Sequence, residues 1–299
     1  VILRFGAVDY LAEVWVNGKR AGSFAGGETP FTCDVTNLIR TDGDNLLAVR
    51  VLNPTDDPID GYILDQVPHR NKVLNYAAGS SFNSGGVMYP VELHTLPPVR
   101  INDLFLRPDP RTGAIAITAT VRNDTGRSVT GRLRCRVAEA AGAENVLRTS
   151  EGNARFAPGE STHDLSLTVA QPRAWNLDDP FLYRVGLGIE AASQKAHWRS
   201  ARCGFRDFRI VGGYFQLNGK RIFLKCSHTG NHVPIGQQLA VVPDHVRRDL
   251  INAKACGFNA IRFIAGVAWP EQLDFCDEIG LLVIESSYAG WLLARSTYD

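Results

Sequence analysis

The pattern of apolar and polar residues in the last third of the chain predicts strands that alternate with helices. Apolar runs of strand length lie at residues 221–225, 258–263 and 281–284. Between these runs, apolar residues recur every three or four positions, which is the spacing of one helix face. Gly257 and Gly280 end the two helical stretches, at positions where a left-handed residue is favoured. This order indicates parallel βα units.

The first two thirds of the chain show shorter apolar runs that alternate with polar residues between turns. Before residue 97, turn signals such as the pair Asn17 and Gly18 join strand-like runs, which favours a jelly-roll-like sandwich. Pro97 opens a pair of prolines that is the strongest linker signal in the sequence. Beyond it, residues 114–121 and 131–137 alternate with a period of two, which predicts an immunoglobulin-like β-sandwich.

The charge and hydropathy of the chain argue against two classes of partner. The 299 residues carry 32 lysines and arginines against 31 aspartates and glutamates, interleaved along the sequence. A nucleic-acid-binding protein would need basic residues in clusters. No apolar run reaches the ~18 residues that a membrane-spanning helix requires. We therefore expect no nucleic-acid partner and no membrane partner.

The six cysteines are scattered without a close pair, which favours free thiols and a reducing compartment such as the cytoplasm. The chain begins at Val1 rather than at a methionine, so the sequence leaves a signal peptide, and with it the compartment, open. Both ends look cut, because Val1 lies within a strand-like run and Asp299 follows soon after the third strand of the βα region.

Side chains that follow the carboxyl ends of parallel strands share one mouth, which is where α/β barrels place their chemistry. The chemistry-bearing residues expected around this mouth are His228, His232, Arg262, Trp269, Glu285, Ser286 and Trp291.

Arg262 and Glu285 each allow two interpretations. An arginine on an otherwise apolar parallel strand needs a partner, since an unpaired buried guanidinium is very costly. If Arg262 is functional, the partner is a catalytic carboxylate or a sugar hydroxyl; otherwise it is the acid of a structural ion pair. Glu285 is either a catalytic or pocket-shaping group or one member of a plain ion pair. By contrast, Asp277 and Glu278 are expected on the solvated side of the second helix.

The histidines and tryptophans also allow two interpretations. His228 and His232 are four residues apart, which on a helix is the spacing of a metal-binding pair. The glycine and asparagine between them favour a loop instead, so we expect no metal site. Trp269 and Trp291 offer indole faces on which a pyranose ring could stack, and the alternative for both is core packing.

Motifs in a fixed order through nearly the whole chain resemble glycoside hydrolase family 2, the group of β-galactosidases, β-glucuronidases and β-mannosidases. Examples are Leu217-Asn-Gly-Lys-Arg-Ile-Phe-Leu-Lys225 and Gly257-Phe-Asn-Ala-Ile-Arg262. The full set of motifs lies at residues 3–10, 14–18, 175–183, 204–206, 217–225, 257–262 and 270–283.

The resemblance implies a multidomain, mainly β fold with three parts. Residues 1–97 are expected to form a sugar-binding-like jelly-roll sandwich that lacks its first strands, and residues 98–205 an immunoglobulin-like β-sandwich. Residues 206–299 are expected to form the first three βα units of an incomplete TIM (β/α)8 barrel. In this family the loop equivalent to residues 53–86 approaches the active site and closes with a Gly-Ile-Trp-like turn. The turn here reads Gly85-Gly-Val-Met-Tyr-Pro90, without the tryptophan.

The resemblance also implies an activity, the hydrolysis of O-glycosidic bonds of β-glycosides in carbohydrate metabolism. A retaining glycosidase uses two carboxyl groups, and the resemblance places this catalytic Glu pair beyond Asp299. The chain is therefore expected to hold no catalytic residue and to be inactive alone. Substrate-binding residues are expected to be Arg262, His232, Glu285, Trp291 and His228.

Of these residues, His232 falls where the family has a substrate-contacting histidine, whereas His228 has no clear match. Glu285 precedes the strands that carry the family's catalytic acids, which favours a supporting role. No cofactor is expected, and the expected partner is a carbohydrate substrate, with a homo-oligomer as a further option. The alternative function is a non-catalytic carbohydrate-binding or scaffold protein.

Overall fold

The structure is a computed structural model that describes residues 1–27, 29–55, 57–67, 85–142, 145–191, 196–229, 243–263 and 268–286. Within these residues the chain forms 21 strands, two α-helices and one short 3-10 helix at Leu64–Gln66. The fold is therefore mainly β, as the sequence predicts.

The N-terminal part consists of antiparallel sheets that enclose an apolar core. Its strands are β1 (Ile2–Phe5), β2 (Val8–Asp9), β3 (Leu11–Val16), β4 (Lys19–Ala25), β5 (Phe31–Asp34), β6 (Leu47–Leu52), β7 (Gly86–Val87) and β8 (Val91–His94). Two three-stranded sheets, β5-β1-β8 and β4-β3-β6, are accompanied by the pair β2-β7. Phe31 of β5 stacks on Phe5 of β1 and on Phe24 of β4, each with ring centres 4.8 Å apart, so aromatic packing joins the two sheets.

The predicted hairpin between β3 and β4 is confirmed. Asn17 and Gly18 have φ angles of 53° and 78°, and a type I′ turn requires positive φ at both central residues. The Asn17 side chain also donates to the carbonyl oxygen of Leu38 at 2.9 Å, which ties the turn to the neighbouring loop.

The middle part is a seven-stranded antiparallel sandwich. Its strands are β9 (Val99–Pro108), β10 (Ala114–Asn123), β11 (Val129–Glu139), β12 (Val146–Phe156), β13 (Gly159–Thr168), β14 (Tyr183–Ala191) and β15 (His197–Cys203). Sheet β13-β10-β9 faces sheet β12-β11-β14-β15. Inward residues such as Ile117, Val121, Val137 and Leu187 are fully buried between the two sheets, which gives the predicted immunoglobulin-like arrangement.

The last part begins with a small antiparallel sheet and continues into parallel βα units. Its elements are β16 (Phe208–Val211), β17 (Tyr214–Leu217), β18 (Lys220–Arg221), β19 (Cys226–Thr229), α1 (Pro243–Ala255), β20 (Ala260–Phe263), α2 (Pro270–Ile279) and β21 (Leu282–Glu285). Strands β19, β20 and β21 are adjacent and parallel, and the helices alternate with them as in a (β/α) barrel.

The two faces of the parallel sheet bury different sets of side chains. Ile261 and Phe263 pack on the helical side, in a core with Leu250 of α1 and Cys276 of α2. On the opposite face, Ala260 and Leu282 join a cluster with Trp175 of the middle part and Leu217 of β17. On this second face, the residues near the start of the strands are apolar, and Arg262 lies nearer the carboxyl ends.

The predicted position of the first parallel strand was wrong. The apolar run at residues 221–225 was expected to be the strand, but the ladder with β20 is formed by Cys226–Thr229. Asn259 explains the shift, because its side chain accepts from the Lys225 amide and donates to the Phe223 carbonyl, both at 2.9 Å. These bonds hold the apolar run as an extended connection, from which Ile222 and Leu224 pack against Trp175.

The expectation that Asp277 and Glu278 are simply solvated was only partly right, because their side chains are 43% and 37% exposed but both are ion-paired. Both carboxylates face the middle sandwich, where Glu278 binds Arg202 and Asp277 lies 3.4 Å from Arg206. The indole nitrogen of Trp175 donates to the Asp277 carbonyl at 2.7 Å. Helix α2 is therefore held against the middle part by polar contacts. These contacts are made by its polar face, which the hydrophobic pattern of the helix alone would assign to solvent.

Candidate functional site

The candidate site lies where the three parallel strands end together. Thr229 is the partner of Phe263, and Phe263 is the partner of Glu285, so the last residues of β19, β20 and β21 lie in one row. This edge is the usual place for function in parallel α/β folds.

Arg262 is the central cation of this edge. It lies on the face of β20 away from the helices, beside His228 of β19 and Ile284 of β21 in the sheet register. Its Nε donates to Ser286 Oγ at 2.7 Å. A guanidinium has five N–H donors in a fixed plane, so this bond orients the group while its terminal nitrogens point elsewhere.

The described surroundings of Arg262 bear on its two interpretations. Within the described residues no carboxylate lies within 4.0 Å of its guanidinium, so no structural ion pair is found there for this residue. Its side chain is exposed rather than enclosed in a core. Both interpretations of Arg262 stay predictions.

Glu285 lies on the opposite face of the sheet from Arg262. It is in register with Phe263, whose ring packs against the helices. Both carboxylate oxygens of Glu285 lie 3.3 Å from the backbone nitrogen of Ala268, just before α2. Glu285 thus holds the start of α2, and its predicted contact with substrate stays a prediction.

His228 is part of strand β19 rather than of the loop that the sequence predicts. Its side chain is exposed on the same face as Arg262. Cys226, two residues earlier, lies on this face as well, where partial burial raises the pKa of its thiol despite the opposing effect of the Arg262 charge. The thiol is therefore neutral at pH 7. His232 and Trp291 lie outside the described residues, and their substrate-contacting roles stay predictions.

A tyrosine from the N-terminal part reaches this region, which the sequence did not predict. The Tyr89 ring stacks on Trp269, with ring centres 4.4 Å apart and planes inclined by 6°. The Tyr89 hydroxyl donates to the carboxylate of Glu271 in the first turn of α2. Burial and this hydrogen bond both raise the pKa of Tyr89. Tyr89 lies in the turn 85–90, which lacks the tryptophan of the resembled family. The presence of another aromatic residue in that turn was the one sequence feature that could have suggested this contact.

The stack and two further contacts hold the two residues that precede α2. Gln272 Oε1 accepts from the Trp269 amide at 2.8 Å, and Ala268 is held by Glu285. Trp269 is thus packed on a tyrosine of the N-terminal part, which favours the packing interpretation of this residue over an open stacking face.

The described part of the chain offers neither a metal cluster nor a membrane-spanning helix. No group of three or more His, Cys, Asp or Glu side chains there is arranged to hold a metal ion. No helix among these residues is both long and apolar enough to cross a membrane.

Two protein-family models match the chain. The model described as the sugar binding domain of glycosyl hydrolases family 2 matches residues 1–97. The model described as glycosyl hydrolases family 2 matches residues 99–206. Together the two matches cover more than half of the chain, in the order in which the two sandwiches occur.

Individual relatives extend the similarity through the parallel βα units. A putative β-glucuronidase of Formosa agariphila is 27% identical over 287 residues, which are 94% of this chain and 32% of that protein. The β-galactosidase BoGH2A of Bacteroides ovatus is 27% identical over 299 residues, which are 99% of this chain and 33% of that protein.

A solved structure, the Bacteroides uniformis β-glucuronidase 2 covalently bound to cyclophellitol-6-carboxylate aziridine, has a TM-score of 0.77 at 26% identity. The superposition covers 95% of this chain and 34% of that one. The chain thus spans about a third of the length of these relatives.

Proposed function

The chain belongs to the glycosyl hydrolases of family 2, and on this basis we propose that it serves an enzyme that hydrolyses O-glycosidic bonds of β-glycosides. Relatives over nearly its whole length are named β-galactosidase or β-glucuronidase. The sugar and the linkage that the enzyme prefers are separate questions, because the named relatives differ in substrate at similar identity.

The observation that carries this proposal is the placement of Arg262. The guanidinium lies at the carboxyl edge of the parallel sheet, on the face away from the helices, with Ser286 holding its Nε. A guanidinium in this position can donate to a sugar hydroxyl or hold a catalytic carboxylate in its charged form. Either role places Arg262 in direct contact with the substrate or with the reacting groups.

The mechanism proposed is the retaining one. It needs two carboxyl groups about 5–5.5 Å apart, one as nucleophile and one as acid/base. Glu285 alone cannot supply both, and its carboxylate faces Ala268 on the helical side of the sheet. We therefore assign the catalytic pair to the sequence that follows Asp299. The covalent ligand on the Bacteroides uniformis enzyme is compatible with a covalent intermediate of this kind.

The remaining residues of the site have supporting roles in this proposal. His228, on the same face as Arg262, and His232 and Trp291 beyond the described residues would contact the sugar. Glu285 would act as a positioning residue through the backbone of Ala268. No step of the proposed reaction requires a cofactor.

The proposal is tested with a panel of 4-nitrophenyl β-glycosides: the galactoside, the glucuronide and the mannoside. A version of the protein extended by the sequence that follows Asp299 is expected to release nitrophenol from at least one of them. The 299-residue chain is expected to release none, because general acid catalysis by a single residue contributes only about 10²–10⁴-fold.

Two results would contradict the proposal. An extended protein that binds the glycosides without cleaving any would favour a non-catalytic carbohydrate-binding or scaffold protein. Hydrolysis by the 299-residue chain that is abolished in Glu285→Gln would instead make Glu285 a catalytic group.

A further inference from the structure

The outward face of the sheet β12-β11-β14-β15 is strongly basic. Alternate residues of each strand point away from the core, and the strand register places them side by side. The arginines on this face are Arg132, Arg134, Arg136, Arg155, Arg184 and Arg202. Glu151 and Glu190 lie among them, each 3.4 Å from Arg134. Arg202 is paired with Asp274 and Glu278 of α2. The other five cations against two anions leave the rest of the face positive although the whole chain is close to neutral.

Two outward glycines of β14 form a bare strip at the centre of this face. A Cβ built on Gly188 would lie 2.7 Å from the indole ring of Trp198, so the ring rests directly on the backbone. A Cβ on Gly186 would lie 3.3 Å from Nε of Arg136, which rests on the strip in the same way. Any side chain at these two positions would lift both planar groups away from the sheet.

Trp198 and Arg136 therefore form one platform of contacting side chains at this strip. The guanidinium carbon of Arg136 lies 5.2 Å from the centre of the Trp198 ring, which is within the range of a cation–π contact. Although one side of the indole rests on Gly188, Trp198 keeps 42% of its surface exposed. The indole is thus held between Gly188 and the Arg136 guanidinium, and the exposed part of the ring has a fixed orientation before any ligand arrives.

An open cleft of about 830 Å³ adjoins the platform. Among its lining residues are Arg132, Asn153, Arg155 and Glu190. Asn153, Arg132 and Glu190 are neighbours across three strands. They form the row next to the one that holds Trp198, about 7 Å away along the strands. The cleft and the indole are thus parts of one surface.

The chemistry of this surface fits a pyranose chain that carries negative charge. The apolar face of a pyranose ring packs against an exposed indole. Guanidinium groups bind carboxylate or sulfate through paired N–H donors. Asn153 and Glu190 add side chains that can bond hydroxyl groups. A nucleic acid fits less well, since single strands are bound by several aromatic rings in succession, whereas the face carries one.

We propose that the outward face of β12-β11-β14-β15 is a non-catalytic binding surface for an acidic oligosaccharide. Trp198 is its stacking platform, and Arg132, Arg134 and Arg136 contact the anionic groups. The surface lies on the middle sandwich, so this inference does not rest on the proposed hydrolase activity and is tested without it.

The test is affinity electrophoresis of the 299-residue chain in gels that contain polygalacturonate, dextran sulfate or uncharged dextran. Retardation is expected with at least one of the two anionic polymers and not with dextran. The two polymers distinguish a uronate ligand from a sulfated one. Trp198→Ala is expected to weaken binding by about tenfold or more, the scale of one lost aromatic stack, while Trp198→Phe keeps a ring and retains part of the affinity.

Phe105→Ala is the matched control, because Phe105 is 56% exposed and lies on β9, in the opposite sheet of the sandwich. Its retardation is expected to equal that of the parent, and melting curves show whether each variant is folded. The proposal is overturned if no polymer retards the chain, or if a folded Trp198→Ala is retarded as strongly as the parent. Equal retardation by single-stranded DNA that does not depend on Trp198 would also overturn it, since charge alone would then explain the binding.

Discussion

At the scale of single residues, the site depends on pairs that are far apart in sequence. Arg262 was predictable because an arginine within an apolar strand is anomalous, and the structure places it at the carboxyl edge as expected. The stack of Tyr89 on Trp269 was not predictable. Neither residue breaks a local pattern, and only the docking of the N-terminal part beside α2 brings the two rings together.

Asp277 provides a residue-scale prediction about pH. Burial raises the pKa of its carboxyl group, against the opposing effects of Arg206 and Arg202. Because the folded-state pKa is above the unfolded value, the folded state binds more protons between these two values, and stability falls as the pH rises through this window. Asp277→Asn removes the ionisation, so its melting temperature relative to the parent is expected to rise as the pH is raised from about 4, the ordinary pKa of an aspartate.

Thermal melting across this pH range measures the difference. Asp103→Asn serves as a control at a carboxylate outside the α2 interface. The prediction is contradicted if the melting temperature of Asp277→Asn falls further below that of the parent as the pH rises. That result would show that the contact with Arg206 outweighs the cost of burying the charged carboxylate.

At the scale of elements, the pattern of the sequence predicted the type of each strand and helix better than its position. The two helices end at Gly257 and Gly280 as predicted, both with positive φ. The first parallel strand lies five residues later than predicted, because the Asn259 side chain holds the preceding apolar run outside the ladder. A hydrophobic run identifies a segment that packs against the core. It does not show whether that run or the segment next to it forms the backbone hydrogen bonds of the sheet.

The two helix-ending glycines give a matched pair of stability predictions. Gly257 has φ of 85° and open space where a Cβ would lie, so Gly257→Ala should cost only the left-handed conformation, about 1 kcal/mol. Gly280 has φ of 76°, but a Cβ there would clash with the carbonyl oxygen of Leu177 in the middle part. Gly280→Ala should therefore lower the free energy of unfolding by clearly more, about 2–4 kcal/mol.

Urea unfolding of the two variants checks this difference. Lys254 also binds this junction, donating to the carbonyl oxygens of Leu177 at 2.6 Å and Gly280 at 2.9 Å, so little room exists for the clash to relax. Equal losses for both variants would mean that α2 is not held against the middle part as the structure has it.

At the scale of the whole molecule, a substantial apolar surface remains exposed around the parallel βα units. Phe223 is 80% exposed, Ile210 66%, and Ile284, beside Arg262, 39%. Strands β19 and β21 have no outer neighbour among the described residues. Both features, unpaired strand edges and open apolar side chains, favour association between chains.

We therefore predict that the 299-residue chain self-associates through its last part. Sedimentation velocity over a range of concentrations should show a rising average mass, and Phe223→Ser combined with Ile210→Ser should reduce it. Val146→Ser combined with Leu147→Ser, at exposed apolar positions of β12, is the control pair and should leave the association unchanged. A single monomeric species at high concentration would contradict the prediction.

The division of the chain into parts at 1–97, 98–205 and 206–299 also stays a prediction at this scale. Pro97 and its neighbour lie between β8 and β9, and the turn at Gly212 and Gly213 joins β16 to β17 within the last part. Whether each part folds independently depends on how much stability the contacts between α2 and the middle sandwich contribute. The amino-acid sequence alone does not reveal these contacts.

The most direct test of the central claim, that the edge of the parallel sheet serves glycoside hydrolysis, is the kcat/KM of Arg262→Ala in the extended protein. If Arg262 contacts the substrate or a catalytic group as proposed, the variant loses about 2–4 kcal/mol of transition-state stabilisation at an unchanged melting temperature. Arg247→Ala, which removes an arginine of α1 that packs on Phe275 on the helical side, should leave kcat/KM unchanged. An Arg262→Ala variant with unchanged kcat/KM and a lowered melting temperature would contradict the account and make Arg262 a structural residue.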